Sequence, residues 1–234
     1  MDLQTANALV TGGSSGIGLA TARQLRARGA RVAICGRDEA RVKRAAEEIG
    51  ALPIAGDVSV EADVVRIVRT VVEQFGDYDV LINNAGFGIF APLVDTRLED
   101  MQRVYGTNVF GAMLVARESA KHFISRNRGN IVNVASTAGQ RGFAGGTAYS
   151  SSKFALSGLT ECWRAELRKN NIRVMQINPS EVQTDFVAAS GRPLRAFSER
   201  KLVSDDIVHA IVSMLEMHDR GFTTEATVWA TNPE

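Results

Sequence analysis

The sequence predicts an α/β fold, a single doubly wound parallel sheet of about seven strands flanked by helices. Two observations carry that prediction. Short runs rich in β-branched residues alternate with segments of helical period along the whole chain, and a parallel crossover needs a helix-sized connection. No linker or low-complexity stretch interrupts the alternation, so residues 1–234 are expected to form one domain.

The first apolar run, Ala6 to Val10, meets Thr11-Gly12-Gly13-Ser14-Ser15-Gly16-Ile17-Gly18, after which Leu19, Ala20, Ala22, Leu25 and Ala27 recur at helical spacing. Gly29 stops that helix, and Ala30 to Cys35 reads as a second buried strand closed by Gly36. Arg41 to Ile49 is helical, Leu52 to Ala55 is a strand ending at Gly56-Asp57, and Ser59 is the expected N-cap of a helix through Phe75. Asp79 to Ile82 and Asn130 to Val134 are further β-rich runs, with helical periodicity from Leu98 to Ile124 between them. Tyr149 to Lys169 reads as a helix and Ile172 to Ile177 as a strand. Ser204 is the expected cap of a helix to Met217, and Ala226 to Ala230 the last strand. Such sheets bind ligands beyond the carboxyl ends of their strands, so the residues there carry the functional reading.

Composition narrows the function. Of 234 residues 45% are hydrophobic, and Lys+Arg 27 against Asp+Glu 26 leaves a net charge of +1, which argues against a broad nucleic-acid face and points to a small ligand. No apolar run reaches the roughly 18 residues of a membrane span. Met1-Asp2-Leu3-Gln4 lacks the basic start and apolar core of a signal peptide, so a cytoplasmic protein is expected. Cys35 and Cys162, far apart, are expected as buried free thiols, and His122, His209 and His218 share no ligand spacing, so no metal is implied. The 21 glycines against 5 prolines are expected at particular turns.

In the opening turn, Gly12, Gly16 and Gly18 form G-x-x-x-G-x-G. Small residues between a strand and a helix let backbone N–H groups approach a phosphate, and the positive end of the helix dipole faces that charge. Gly12, Ser14, Ser15, Gly16, Ile17 and Gly18 are therefore candidate dinucleotide or phosphate contacts. On a helix, Tyr149 and Lys153 are i,i+4 neighbours, so both side chains reach one face. A phenol of reference pKa about 10 is a poor base near neutrality, and a nearby ammonium favours its phenolate. Ser136, at the carboxyl end of the strand through Val134, is placed to hydrogen-bond a substrate oxygen, with a turn-capping role as the competing reading.

Thr11-Gly12-x-x-x-Gly16-Ile17-Gly18, Asn83-Asn84-Ala85-Gly86, Asn108, Ser136 and Tyr149-x-x-x-Lys153 occur in the order and approximate spacing of the classical short-chain dehydrogenases/reductases. The chain resembles that Rossmann-type family, and within it the 3-oxoacyl-[acyl-carrier-protein] reductases. The resemblance implies a catalytic set of Asn108, Ser136, Tyr149 and Lys153, with Tyr149 exchanging a proton with a carbonyl or alcohol oxygen as hydride moves to or from nicotinamide. It implies that Lys153 holds the nicotinamide ribose, that Asn108 holds a water relaying protons to Lys153, with a helix-kink or backbone-bonding role as its competing reading, and that Asn84, Ala85 and Gly86 line the adenosine ribose. Asp57 and Val58 match the adenine position, with a plain turn role as the competing reading for Asp57, while Pro179, Val182 and Thr184 match the stretch around the nicotinamide carboxamide. Ser180 replaces a usual glycine there; if that glycine has positive φ in relatives, serine is strained or the loop shifts.

Cofactor choice turns on the end of the second strand, where NAD enzymes carry a carboxylate that repels the 2′-phosphate of NADP. This chain has Gly36 followed by Arg37, so NADP(H) is expected, with NAD(H) as the alternative if Asp38 reaches the ribose. Phe87 to Phe90, Ala138 to Phe143 and Phe186 to Leu202 occupy family positions that wall the substrate cleft, with 186–203 as an expected lid. Arg192, Arg195, Arg200 and Lys201 against Glu199 leave two readings open, an acidic substrate such as an acyl carrier protein or a solvated face. The tail, ending in Trp229-Ala230-Thr231-Asn232-Pro233, departs from the Asp-Gly-Gly ending of many relatives and puts the ketoacyl-carrier assignment in doubt.

The expected partner is a small-molecule carbonyl or alcohol, not a nucleic acid or a membrane. The resemblance also implies a homodimer or homotetramer packed through the helices around Asn108 and Tyr149. Ala112, Val115, Ala155, Leu156, Leu159 and Trp163 are the apolar positions there, open to either core or interface. A redox-dead protein that senses NADP(H) is the alternative from another class, and the retained Tyr149–Lys153 pair argues against it.

Overall fold

A computed structural model describes residues 1–184, 186 and 196–232. Its centre is a seven-stranded sheet in the order β3-β2-β1-β4-β5-β6-β7, every neighbouring pair parallel. The strands are β1 (Asn7–Thr11), β2 (Arg31–Gly36), β3 (Leu52–Ala55), β4 (Val80–Asn83), β5 (Gly129–Val134), β6 (Ile172–Pro179) and β7 (Glu225–Val228). The helices between them are α1 (Gly16–Ala27), α2 (Glu39–Ile49), α3 (Glu61–Phe75), α4 (Leu98–Tyr105), α5 (Ala112–Arg126), α6 (Thr147–Leu167) and α7 (Ser204–Glu216). Strand order reverses between β1 and β4, the switch point where such sheets open a crevice.

Helices cover both faces, which is why the central strands read as continuous apolar runs rather than alternating ones. Successive strand residues point to opposite faces. Val10, Ile82, Val132 and Met175 join the core under α1, α2 and α7, whereas Leu9, Leu81, Ile131 and Val174 join the core under α3 and α5. All eight are buried.

Several expectations are corrected. Ser59 does not cap α3: its N–H (2.9 Å) and hydroxyl (2.7 Å) both donate to Asp57 Oδ1, and the cap position falls to Val60. Ser204 is the first residue of α7, and Asp206 closes the turn by accepting the Val203 N–H at 2.8 Å. The helical stretch from Leu98 is broken by a π-helical turn at Gly106–Gly111, a change of period that apolar spacing does not reveal. Cys35 is buried but Cys162 is exposed, because it lies on the outer side of α6. Ala112, Val115 and Leu156 belong to the core, leaving Phe110 and Phe154 as the exposed rings of that region. Residues 187–195 of the expected lid, with Arg192 and Arg195, lie outside the described residues. Among the described residues no helix is long and apolar enough to cross a membrane.

Candidate active site

The carboxyl ends of the strands enclose a cavity of about 1250 Å³. That exceeds the several hundred cubic ångströms of a pocket for one drug-sized molecule and suits a dinucleotide with a substrate beside it. It runs from Arg37 and Arg41, past the glycine turn, to Tyr149 and Lys153.

The phosphate end is built by β1 and α1. Gly12 (φ +62°) and Gly16 (φ +52°) adopt left-handed backbone, which a side chain would strain. Ser15, the N-cap of α1, makes no side-chain cap bond, so the first-turn N–H groups face the cavity beside Gly12, Ser14, Ser15, Gly16 and Ile17. Gly18 does not line the cavity. A Cβ there would sit 2.4 Å from the Gly12 carbonyl oxygen, so this glycine sets how closely α1 packs on the turn. Gly18→Val is expected to destabilise the fold by at least about 2 kcal/mol and to weaken nucleotide binding, read as a lowered urea midpoint and a raised Kd.

The switch point is stitched by Thr11, whose buried hydroxyl accepts the N–H groups of Asn84 (3.0 Å) and Ala85 (2.9 Å). Asn84 Nδ2 returns a bond to the Thr11 carbonyl at 2.9 Å. Asn84, Ala85 and Gly86 all line the cavity, and a Cβ on Gly86 would come within 3.1 Å of Asn108 Oδ1 and 3.6 Å of Lys153 Nζ.

At the adenosine end, β2 stops at Gly36 and the cavity is lined by Arg37, Asp38, Arg41, Asp57 and Val58. The Asp38 carboxylate caps α2, accepting the Arg41 N–H at 3.0 Å. The Arg37 guanidinium lies 6.0 Å from the centre of the Phe87 ring, and that of Arg103 lies 5.9 Å from it. Arg41 in the first turn of α2 adds a second cation at this end, which no motif in the sequence signals because Arg37 lies before the helix cap.

At the other end, Ser136 ends the segment after β5, and Tyr149 and Lys153 project from α6. The Lys153 ammonium is buried and donates to the Val134 carbonyl at 2.8 Å, and its Nζ lies 5.8 Å from the centre of the Tyr149 ring. Burial pulls Lys153 down to about 8. Burial pushes the Tyr149 hydroxyl up, and a hydrogen bond with Ser136 offsets this only in part. The expected phenolate is therefore not what this polypeptide alone favours: desolvation outweighs the Ser136 hydrogen bond. Ser136 also fills its competing role, accepting the Ala138 N–H at 3.1 Å as a turn cap.

A pH effect on stability follows for the protein without cofactor. Lys153 has a folded pKa below its unfolded value, so between about pH 8 and pH 10 the unfolded chain binds more protons and stability rises with pH. Cys35, pushed up to about 12 by burial, acts in the opposite direction above about pH 8.5, because the unfolded thiol ionises first. The difference between wild type and Lys153→Met isolates the lysine contribution. Wild type is expected to gain about 2 kcal/mol relative to the variant from pH 7.5 to 9.5 in urea unfolding. A pH-independent difference would contradict the buried ammonium.

Asn108 is buried in the π-helical turn and does not line the cavity. Its side chain accepts the Phe87 N–H at 3.0 Å and donates to the Phe87 carbonyl at 2.9 Å and Ser152 Oγ at 3.0 Å. With its amide occupied in this way, the Asn108 side chain fixes the segment after Gly86, the backbone-bonding role that competed with the water-holding one. Ser180 is not strained either: among the described residues only Asn127 and Asn171 combine a side chain with positive φ, and the Ser180 N–H donates to Val228 at 2.9 Å. Pro179, Val182 and Thr184 line the cavity. Trp229 also lines it, unanticipated, because only the pairing of β7 with β6 brings the tail to the cavity mouth.

A family model described as short chain dehydrogenase matches residues 6–194. The chain is 31% identical to an NADP-dependent 3-hydroxy acid dehydrogenase of Schizosaccharomyces pombe, covering 96% of this chain and 92% of that one. It is 38% identical to an uncharacterized oxidoreductase of Bacillus subtilis over 76% of its own length and 52% of the relative's, so it spans about half of that protein. Among solved structures, a 3-ketoacyl-(acyl-carrier-protein) reductase from Brucella melitensis complexed with NADH superposes with a TM-score of 0.89 at 30% identity, covering 98% of both chains.

Proposed function

The chain belongs to the short-chain dehydrogenase family, and from that premise we propose that it transfers a hydride between NADP(H) and a carbonyl or alcohol substrate, with Tyr149 as proton donor and acceptor. The observation that carries this reading is the meeting of Ser136, Tyr149 and Lys153 in one wall of a cavity whose other end is a glycine cradle at a helix N-terminus. The positive φ at Gly12 and Gly16, the uncapped first turn of α1 and the glycine beside Lys153 fit a dinucleotide running along the strand ends. When bound, the nicotinamide supplies or accepts the hydride.

The chain's own residues handle the proton and the charge. During reduction the Tyr149 hydroxyl gives its proton to the carbonyl oxygen, and burial, which holds that hydroxyl protonated, suits this direction. Ser136 donates to the same oxygen as negative charge develops on it. Lys153 holds the nicotinamide ribose, and its positive charge lowers the cost of forming the phenolate. Arg37, with Arg41 in the first turn of α2 beside it in the cavity lining, takes the 2′-phosphate where Gly36 offers no carboxylate. The named relatives make 3-hydroxy acids and 3-oxoacyl thioesters the first comparison substrates.

The test is reduction of a ketone and thioester panel with NADPH and NADH in parallel. A clear kcat/KM preference for NADPH is expected, and a clear preference for NADH would overturn the cofactor assignment. A homodimer or homotetramer is also proposed, supported by the exposed Phe110 and Phe154. Light scattering that shows a monomer at working concentration would refute it.

A further inference from the structure

We infer that this site takes a carbonyl flanked by an aryl or similarly flat apolar group, a substrate class that rests on the carbonyl chemistry proposed above. The Tyr149 ring stands between two others, Phe90 edge-on at 5.5 Å and Phe186 tilted at 5.3 Å between ring centres. Phe143 continues the wall, 5.9 Å from Phe90. All four rings line the same cavity, and Trp229 stands at its mouth.

The rings are seated on glycines. A Cβ on Gly88 would come within 2.7 Å of Phe90 Cζ and 3.1 Å of Phe186 Cζ, and one on Gly146 within 2.9 Å of Phe143 Cζ. The missing side chains let the rings lie against backbone, so the collar presents flat faces and edges around the proton-donating hydroxyl. Aromatic rings favour offset or edge-to-face contact with another ring. A carboxylate placed among them would lose water without a partner. Among the described residues, the charged groups lining this part of the cavity are Arg141 and Glu181, both exposed, and Glu181 pairs with Lys201 at 3.6 Å. Exposed to water, Arg141 is screened and holds an anion at the collar only weakly, and Lys153 is occupied beneath Tyr149 with the Val134 carbonyl.

Two matched methyl ketones test this, acetophenone with its phenyl group and acetoacetate with its carboxylate, alongside an acetoacetyl thioester, each assayed by NADPH oxidation. Acetophenone is expected to show at least about a tenfold higher kcat/KM than either competitor. Phe143→Ala, a change at a partly exposed ring, is expected to cut the acetophenone preference about fivefold without altering the Kd for NADPH. Preference for acetoacetate or the thioester, or an equal loss on all substrates in Phe143→Ala, overturns the aryl assignment and leaves the oxidoreductase reading standing. Tight NADPH binding without turnover of any carbonyl removes both.

Discussion

Tyr149→Phe is expected to lower kcat at least about a thousandfold while leaving the Kd for NADPH within about threefold of wild type. The substitution removes one oxygen and keeps the ring, which stays between Phe90 and Phe186, so packing around α6 is conserved. No neighbour replaces the lost proton. Ser136 is far too weak an acid, and Lys153 is held by the Val134 carbonyl at 2.8 Å beneath the ring. Because burial raises the Tyr149 pKa, alcohol oxidation by wild type should quicken as pH rises, whereas carbonyl reduction should not share that dependence. Stopped-flow turnover with fluorescence titration of NADPH separates chemistry from binding. Undiminished reduction by the variant would remove Tyr149 as the proton donor.

Arg37→Ala is expected to lower kcat/KM for NADPH by about ten- to hundredfold and to leave NADH nearly unaffected, since a charge-assisted hydrogen bond contributes roughly 1.5–3 kcal/mol. The converse change is Gly36→Asp. A Cβ at position 36 meets Val42 Cγ2 at 3.1 Å and Ser14 Oγ at 3.6 Å, so the new side chain needs only a small adjustment. Its carboxylate would repel a 2′-phosphate and accept from a ribose hydroxyl, reversing the preference toward NADH. The Asp38 carboxylate, two residues on, caps α2 through Oδ1. If Arg37→Ala weakened both cofactors equally, the 2′-phosphate contact would be refuted.

Sequence and structure divide unevenly over this site. The glycine turn was legible because strand, small residues and helix are consecutive, and the Tyr149–Lys153 pair because four residues make one helical turn. Gly18 and Asn108 show the limit of that reading. Both are among the residues that carry the resemblance, yet Gly18 spaces a helix from a carbonyl and the Asn108 side chain holds the backbone of Phe87. A motif records that a residue type is needed, not which neighbour needs it.

By itself the sequence determined the parallel α/β architecture, the cradle at the first strand end and the placing of Tyr149 and Lys153 on one helix face, because each depends on local period and short spacing. Only the tertiary structure decided the depth of burial that lowers Lys153 and raises Tyr149, the commitment of Asp38 to a helix cap, and the convergence of Phe90, Phe143 and Phe186 around one hydroxyl. Those properties come from groups distant in the chain that share one low-dielectric space. Desolvation and ring packing depend on that space, and the spacing of letters does not encode it.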